Sequence, residues 1–209
     1  MKFIKLFFAS ALLLFMAGAA NAQIFVGGSF NFSSTMPKTT VGSTTTDGVR
    51  FTNFTLAPSV GYFMSDKIAV GASVTYNLDR TREDDGTETI ESRNVFGIAP
   101  FARYYAFQIG NVSVFAQGTL SLGFGSENEK VDGTKTDGPS IFTFGLNVAP
   151  AISYDLGDKL TLEARLGGLY FNHYKESDEV AGTDVSVATN SWGLNASLSS
   201  ISFGLIYKL

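Results

Sequence analysis

The chain of 209 residues contains no cysteine, and its 15 Lys and Arg against 19 Asp and Glu give a formal net charge of −4. That balance excludes the basic surface a nucleic-acid partner requires, and an exported protein of this composition must be stable without disulfides.

The first residues, MKFIKLFFASALLLFMAGAANA, place Lys2 and Lys5 before an apolar run from Leu6 to Met16 and close on Ala20-Asn21-Ala22. These are the n-region, h-region and A-x-A site of a secretory signal peptide, with cleavage expected after Ala22. The apolar run is shorter than the ~20 residues of a membrane-spanning helix. The expected mature chain, 23–209, is enough for one domain. No later stretch approaches a transmembrane helix, so the chain can enter a membrane only as strands.

From Gln23 onward the hydrophobic period is two, and it recurs eight times. In IFVGGSFNF, Ile24, Val26, Gly28, Phe30 and Phe32 share one face and Phe25, Gly27, Ser29 and Asn31 the other. The second strand aligns Phe54, Leu56, Pro58, Val60 and Tyr62, and the third Ile68, Val70, Ala72, Val74 and Tyr76. In the fourth, Phe96, Ile98, Pro100, Ala102 and Tyr104 leave Arg103 on the opposite face with Phe101. The fifth aligns Val114 through Phe124 and the sixth Phe142 through Tyr154. The seventh groups Leu160, Leu162, Ala164, Leu166, Gly168 and Tyr170, with Glu163 and Arg165 facing the other way. In the last, Trp192 to Leu198 are out of phase with Ile201 to Leu209, which predicts a β-bulge near Ser199-Ser200.

Long connections (34–49, 79–92, 126–138, 175–190) alternate with short ones (65–67, 108–111, 157–159). This is the pattern of a transmembrane β-barrel with extracellular loops and periplasmic turns. The predicted fold is therefore all-β, an eight-stranded antiparallel up-and-down transmembrane β-barrel. A soluble eight-stranded barrel also alternates, but its outer face must carry charge freely. Here Glu163 is the only acid expected inside a strand. The polar strand faces are mostly Gly, Ala, Ser, Thr and Asn, which suit a narrow lumen.

Rings cluster at both strand ends, predicting aromatic girdles. Tyr62, Tyr104, Tyr154 and Tyr207, with Phe63, Tyr105 and Phe107, fall on the short-turn side. Tyr76, Phe96, Phe124, Tyr170 and Trp192, with Phe51, Phe54 and Phe142, fall on the long-loop side. Arg103, Glu163 and Arg165 form an expected charge cluster in the lumen, since an arginine facing lipid at the midplane costs about 2 to 4 kcal/mol. Gln117 and Asn147 are the expected polar lumen residues.

The stretches IFVGGSFNF, LAPSVGYFMSDKIAVGASVTY, PFARYYAF, APAISYDLGDKLTLEARLGGLYF and FGLIYKL resemble the bacterial outer membrane protein beta-barrel domain family of small, porin-like eight-stranded barrels. The likeness covers the whole mature chain. It implies an outer-membrane location, and no single activity. Members usually end in an aromatic residue that assists recognition by the barrel-assembly machinery. This chain ends in Leu209, with Phe203 and Tyr207 in phase.

Candidate chemistry is sparse. The sole histidine, His173, reads as a polar rim residue; small lipid A-modifying enzymes of similar fold use His, Ser and an acid, and only Glu176 and Ser177 stand near it. The acidic stretches REDDGTETIE and ENEKVDGTKTDG lack EF-hand spacing, and no glycine run opens a helix as a phosphate cradle does. Ser43 to Asp47 reads as a mobile loop tip. No catalytic, metal or cofactor site is expected. The expected partners are outer-membrane lipid, the assembly machinery and an extracellular ligand. The expected function is a structural or surface-interaction role, with the lumen plugged by Phe25, Phe101, Phe115, Gln117, Asn147 and the charge cluster. A narrow pore whose anion preference is set by Arg103 and Arg165 is one alternative, and a lipid A-modifying enzyme, resting on His173 alone, is the other.

Overall fold

The computed structural model describes residues 23–84, 86–180, 182–197 and 201–209. The expected signal peptide and the bulge expected at Ser199-Ser200 lie outside them.

Among the described residues twelve strands form: β1 (Ile24–Thr35), β2 (Lys38–Val41), β3 (Thr44–Asp47), β4 (Arg50–Ser65), β5 (Ile68–Asp84), β6 (Glu88–Ile109), β7 (Val112–Val131), β8 (Thr134–Asp155), β9 (Leu160–Leu166), β10 (Gly168–Val180), β11 (Thr183–Asn195) and β12 (Ile201–Lys208). β9 with β10 and β11 with β12 are the halves of the seventh and eighth staves, and β2 pairs only with β3. Neighbouring staves pair antiparallel, and β12 returns to β1 through Phe25↔Lys208 to Gly28↔Leu205, so the chain is an eight-stranded ring.

The alternation read from the sequence sets which face looks in. Phe25 and Ala69 are fully buried, with Phe101, Phe115 and Ile206 beside them in the interior. Phe30, Val74, Phe96 and Trp192 lie between 60 and 81% exposed on the outside. An outer surface this apolar is stable only against other apolar matter, here hydrocarbon. Rings join into an outer belt, Phe30–Phe54–Tyr76–Phe96 on one side and Phe124–Phe142–His173 on the other.

The long connections differ from expectation. They are not loops but β-hairpins: β5 and β6 pair out to Asp84↔Glu88, β7 and β8 to Val131↔Thr134, and β10 and β11 to Val180↔Thr183. Most of the acids therefore sit in strand extensions beyond the outer belt rather than in connections. Asp132-Gly133 turns one tip with both residues at positive φ, which a two-residue hairpin turn demands. The stretch expected to be a loop tip, Ser43 to Asp47, largely forms β3 against β2, with Gly42 turning the hairpin at φ 63°.

The expected phase also fails at one point. Between β9 and β10 the seventh stave breaks at Gly167, and Gly168 takes φ 105°, a conformation that side chains other than glycine's rarely adopt. The extra residue reverses parity. Leu169 faces out at 60% exposure, while Tyr170 pairs with Asn147 and Gly193 and lays its hydroxyl over the Gly193 backbone on the inner face. Tyr170 is thus a lumen residue and not part of a girdle.

Candidate functional site

β6 aims Arg103 inward because its neighbours in sequence, Ala102 and Tyr104, face out. Arg103 and Glu163 are 5 and 3% exposed. Nη1 and Nη2 of Arg103 donate to the two carboxylate oxygens of Glu163 at 2.7 and 3.1 Å, and Nε donates to Gln117 at 2.9 Å. Gln117 lies directly across from Arg103 on β7, and its own amide donates to Thr119. The rings of Phe25, Phe101 and Phe115 stand 5.2, 4.9 and 5.2 Å from the guanidinium carbon. The bidentate carboxylate answers the cation's charge, and the three rings offer their faces to the guanidinium.

Small residues make room for this layer. Ala69 pairs with Arg103 from β5. A Cβ on Gly61 would lie 2.4 Å from the Phe25 ring, and one on Gly71 2.5 Å from the Phe101 ring. The two glycines are the beds on which the rings rest. Below the layer, Phe63 packs on Phe25 and Tyr105, and Tyr105 stacks on Phe115. Phe63 and Tyr105 are therefore lumen residues, although their place near the strand ends suggested a girdle. The inner rim is closed by Lys208, which donates to Asp155 at 2.9 Å, with Thr161 donating to the same carboxylate.

Arg165 lines the same small cavity as Arg103 and Glu163, but the hydrogen bonds of the carboxylate go to Arg103. It shares the inner face with Glu163, two residues up the stave. Arg165 has no salt bridge among the described residues, and its Nε is buried without a hydrogen-bond partner. Asn147 faces the lumen beside the Gly167 break, where its amide donates to the carbonyls of Gly167 and Leu169.

The layer divides the lumen. A cavity of about 590 Å³ opens below it, lined by Ser113, Ser153, Thr161 and Glu163 among others, and one of about 160 Å³ lies above, reaching Arg103, Gln117, Glu163 and Arg165. Of the expected girdle residues, Tyr104, Tyr154 and Tyr207 are exposed on the outer surface of the inner end, with Tyr62 in phase with them. Tyr76, Phe96, Phe124 and Trp192 lie on the outer face at the other end.

Sequence reasoning missed a second polar cluster above the outer belt. Arg93 pairs with Asp79 at 3.4 Å, Asn53 donates to Asp79 at 2.6 Å, and Arg93 donates to the Tyr174 hydroxyl while lying 5.2 Å from that ring. Tyr174 in turn donates to Glu176. The cluster floors a cleft of about 630 Å³ between the hairpins, walled by Glu91, Glu127, Glu129 and Asp137. In the extension of β7 outside the bilayer, burial and then the nearby Glu176 and Glu91 hold the Glu127 carboxyl above its usual range, against the pull of Arg93. Period-two parity on β6, β7 and β10 could have flagged these residues had the strands been extended that far. His173 stands apart on the outer face, with Nδ1 2.7 Å from the Asn190 Oδ1 and its ring against Phe142. Among the described residues no three acid or histidine side chains converge as metal ligands.

A model of the outer membrane protein beta-barrel domain matches residues 16–167. Among solved structures, the chain is similar to Neisserial surface protein A (NspA), at 15% identity over 90% of this chain and 96% of that one, with a TM-score of 0.40. It is also similar to a major outer membrane protein from Thermus thermophilus, at 12% identity over 90 and 99% of the two chains, with a TM-score of 0.45. No curated protein matches.

Proposed function

Since the chain belongs to the outer membrane protein beta-barrel domain family, we propose that it is a non-enzymatic outer-membrane barrel with a closed lumen, whose extracellular hairpins do its work by binding a partner. One observation carries this reading: the bidentate Arg103–Glu163 pair, ringed by Phe25, Phe101 and Phe115, fills the cross-section at one level. Eight staves leave an interior that side chains can fill, and a buried ion pair bonded through both carboxylate oxygens and packed among three rings is costly to open. The membrane part then acts as a stiff mount. The working surface is the crown of hairpins beyond the outer belt, and the acidic cleft above Arg93 is a recess within it. Its partners are outer-membrane lipid around the apolar wall, the assembly machinery during biogenesis and an extracellular ligand, and it is exported by its signal peptide, which is cleaved after Ala22. The non-enzymatic reading is supported by the placement of His173, which faces outward with Asn190 and not a nucleophile or an acid.

A narrow pore is the second reading, favoured by one fact: Glu163 lines the cavities on both sides of the layer, so the barrier is a single layer thick. Single-channel recording of the refolded 23–209 chain in a planar bilayer separates the two. The closed reading expects no ionic steps from wild type, with insertion confirmed by a heat-dependent gel shift. Discrete steps in wild type that change in Glu163→Ala would establish the pore and overturn the closed mount.

A further inference from the structure

The charges of the lumen do not balance. Between the two aromatic belts the described residues carry only three charged side chains, Arg103, Glu163 and Arg165, which sum to one excess positive charge. Both oxygens of Glu163 accept from Arg103, and the Arg165 Nε is buried with no hydrogen-bond partner among the described residues. A cation confined in this way is expensive without an anionic or hydrogen-bonding counterpart. The small cavity of about 160 Å³ lies against it, walled by hydroxyl-bearing side chains such as Ser59, Ser73 and Thr119.

The same cavity reaches a place where, among the described residues, the wall is not laced shut. Ladder pairing between β1 and β12 stops at Gly28↔Leu205, and Gly28, Ser29, Gly204 and Leu205 all line the cavity. Above that point Ser29–Phe32 and Ile201–Gly204 continue without pairing to each other, and β11 is paired on one side only among the described residues, to β10. The unpaired stretch begins below the outer belt, to which Phe30 belongs, so it faces the half of the membrane nearer the hairpins. Open sheet edges are not tolerated against hydrocarbon unless something covers them.

We propose that this cavity is a binding site for the anionic headgroup of a single-chain amphiphile. Arg165 and the lumen hydroxyls hold the headgroup oxyanion, and the tail leaves through the seam between β1 and β12 into the outer half of the membrane. The cavity is large enough for a phosphate or carboxylate and too small for an acyl chain, which must therefore remain in the seam between Phe30 and Phe203. The bound oxyanion restores charge balance, and the tail covers the open edges.

The test uses the refolded 23–209 chain in phosphatidylcholine nanodiscs, with the Arg165 Nε–H resonance followed by NMR. Dodecyl phosphate and the tail-less methyl phosphate are the two probes. Because the chain lacks cysteine, a Phe30→Cys, Phe203→Cys pair joined by a short thiol cross-linker ties the seam on its lipid face without touching the lumen. Dodecyl phosphate is expected to shift the resonance saturably in the untied protein and not in the tied one, with methyl phosphate at least tenfold weaker. Arg165→Gln, followed through the amides of Thr75 and Thr119, which both line the cavity, is expected to bind dodecyl phosphate about tenfold more weakly or worse, as loss of a charge-assisted contact requires. Equal shifts from methyl phosphate in tied and untied protein would mean that the anion arrives from water, and would overturn the lateral route. No shift from either probe, or unchanged binding in Arg165→Gln, would overturn the site. Arg165 is intact in the tied protein, so that arm stands even if Arg165→Gln fails to fold.

Discussion

Glu163→Ala is the most informative single change. In the native lumen both carboxylate oxygens are bonded to Arg103, and both residues are at most 5% exposed. Truncation leaves Arg103 with one neutral hydrogen bond to Gln117 and three ring faces, and it removes the negative charge that shares a cavity with Arg165. Removing one partner of a buried ion pair costs about 3 to 5 kcal/mol, and about 1 kcal/mol moves the melting temperature of a chain this size by roughly 2 to 4 °C. The midpoint should therefore fall by roughly 6 to 20 °C. The assay is the heat-dependent gel shift in detergent, with the fluorescence of Trp192, the only tryptophan, as a second probe. Pairing Arg103→Met with Glu163→Leu removes both charges at similar volume, and should recover most of the loss because no charge is left stranded in the layer. If Glu163→Ala melts within about 1 °C of wild type, or the double variant is as unstable as the single one, the plug argument is wrong.

Gly71→Val should destabilise by about 1 to 3 kcal/mol in urea titrations, since even its Cβ would sit 2.5 Å from the Phe101 ring; an unchanged midpoint would mean the ring has other room. Glu127 binds its proton more tightly in the folded hairpin than in the unfolded chain. Its contribution is therefore favourable at acid pH and is lost as pH rises through the raised value. Glu127→Gln should accordingly gain in melting temperature over wild type at pH 8 and lose that advantage near pH 4, and a gain independent of pH would refute the assignment. Trp192 is 81% exposed on the outer belt, so brominated lipids should quench its emission and aqueous iodide should not. A cysteine at Tyr170 should resist a lipid-phase thiol reagent that labels one at Leu169, because the Gly167–Gly168 break turns Leu169 out and Tyr170 in.

The sequence by itself determined the environment and the inside of the barrel. Period-two alternation is a local property, and one strand's parity suffices to put Arg103 and Glu163 on the polar face while Phe96 and Trp192 face lipid. Where alternation is absent the reading failed. The extensions 79–91 and 126–138 are wetted on both faces, so no apolar period marks them as strands, and only cross-strand pairing shows that they are hairpins. Tyr170 was misplaced because one glycine at positive φ reverses parity, and a Gly-Gly pair in sequence does not say which side of it is shifted. The choice of Glu163 for Arg103 over Arg165 was likewise invisible. Both arginines share its face, and which one meets the carboxylate depends on the stagger between β6 and β9, staves that touch only across the lumen. Only closure of the ring fixes that stagger, sets Gly61 and Gly71 beneath the rings, and leaves Arg165 without a salt bridge among the described residues, because each is a relation between strands that no single strand contains.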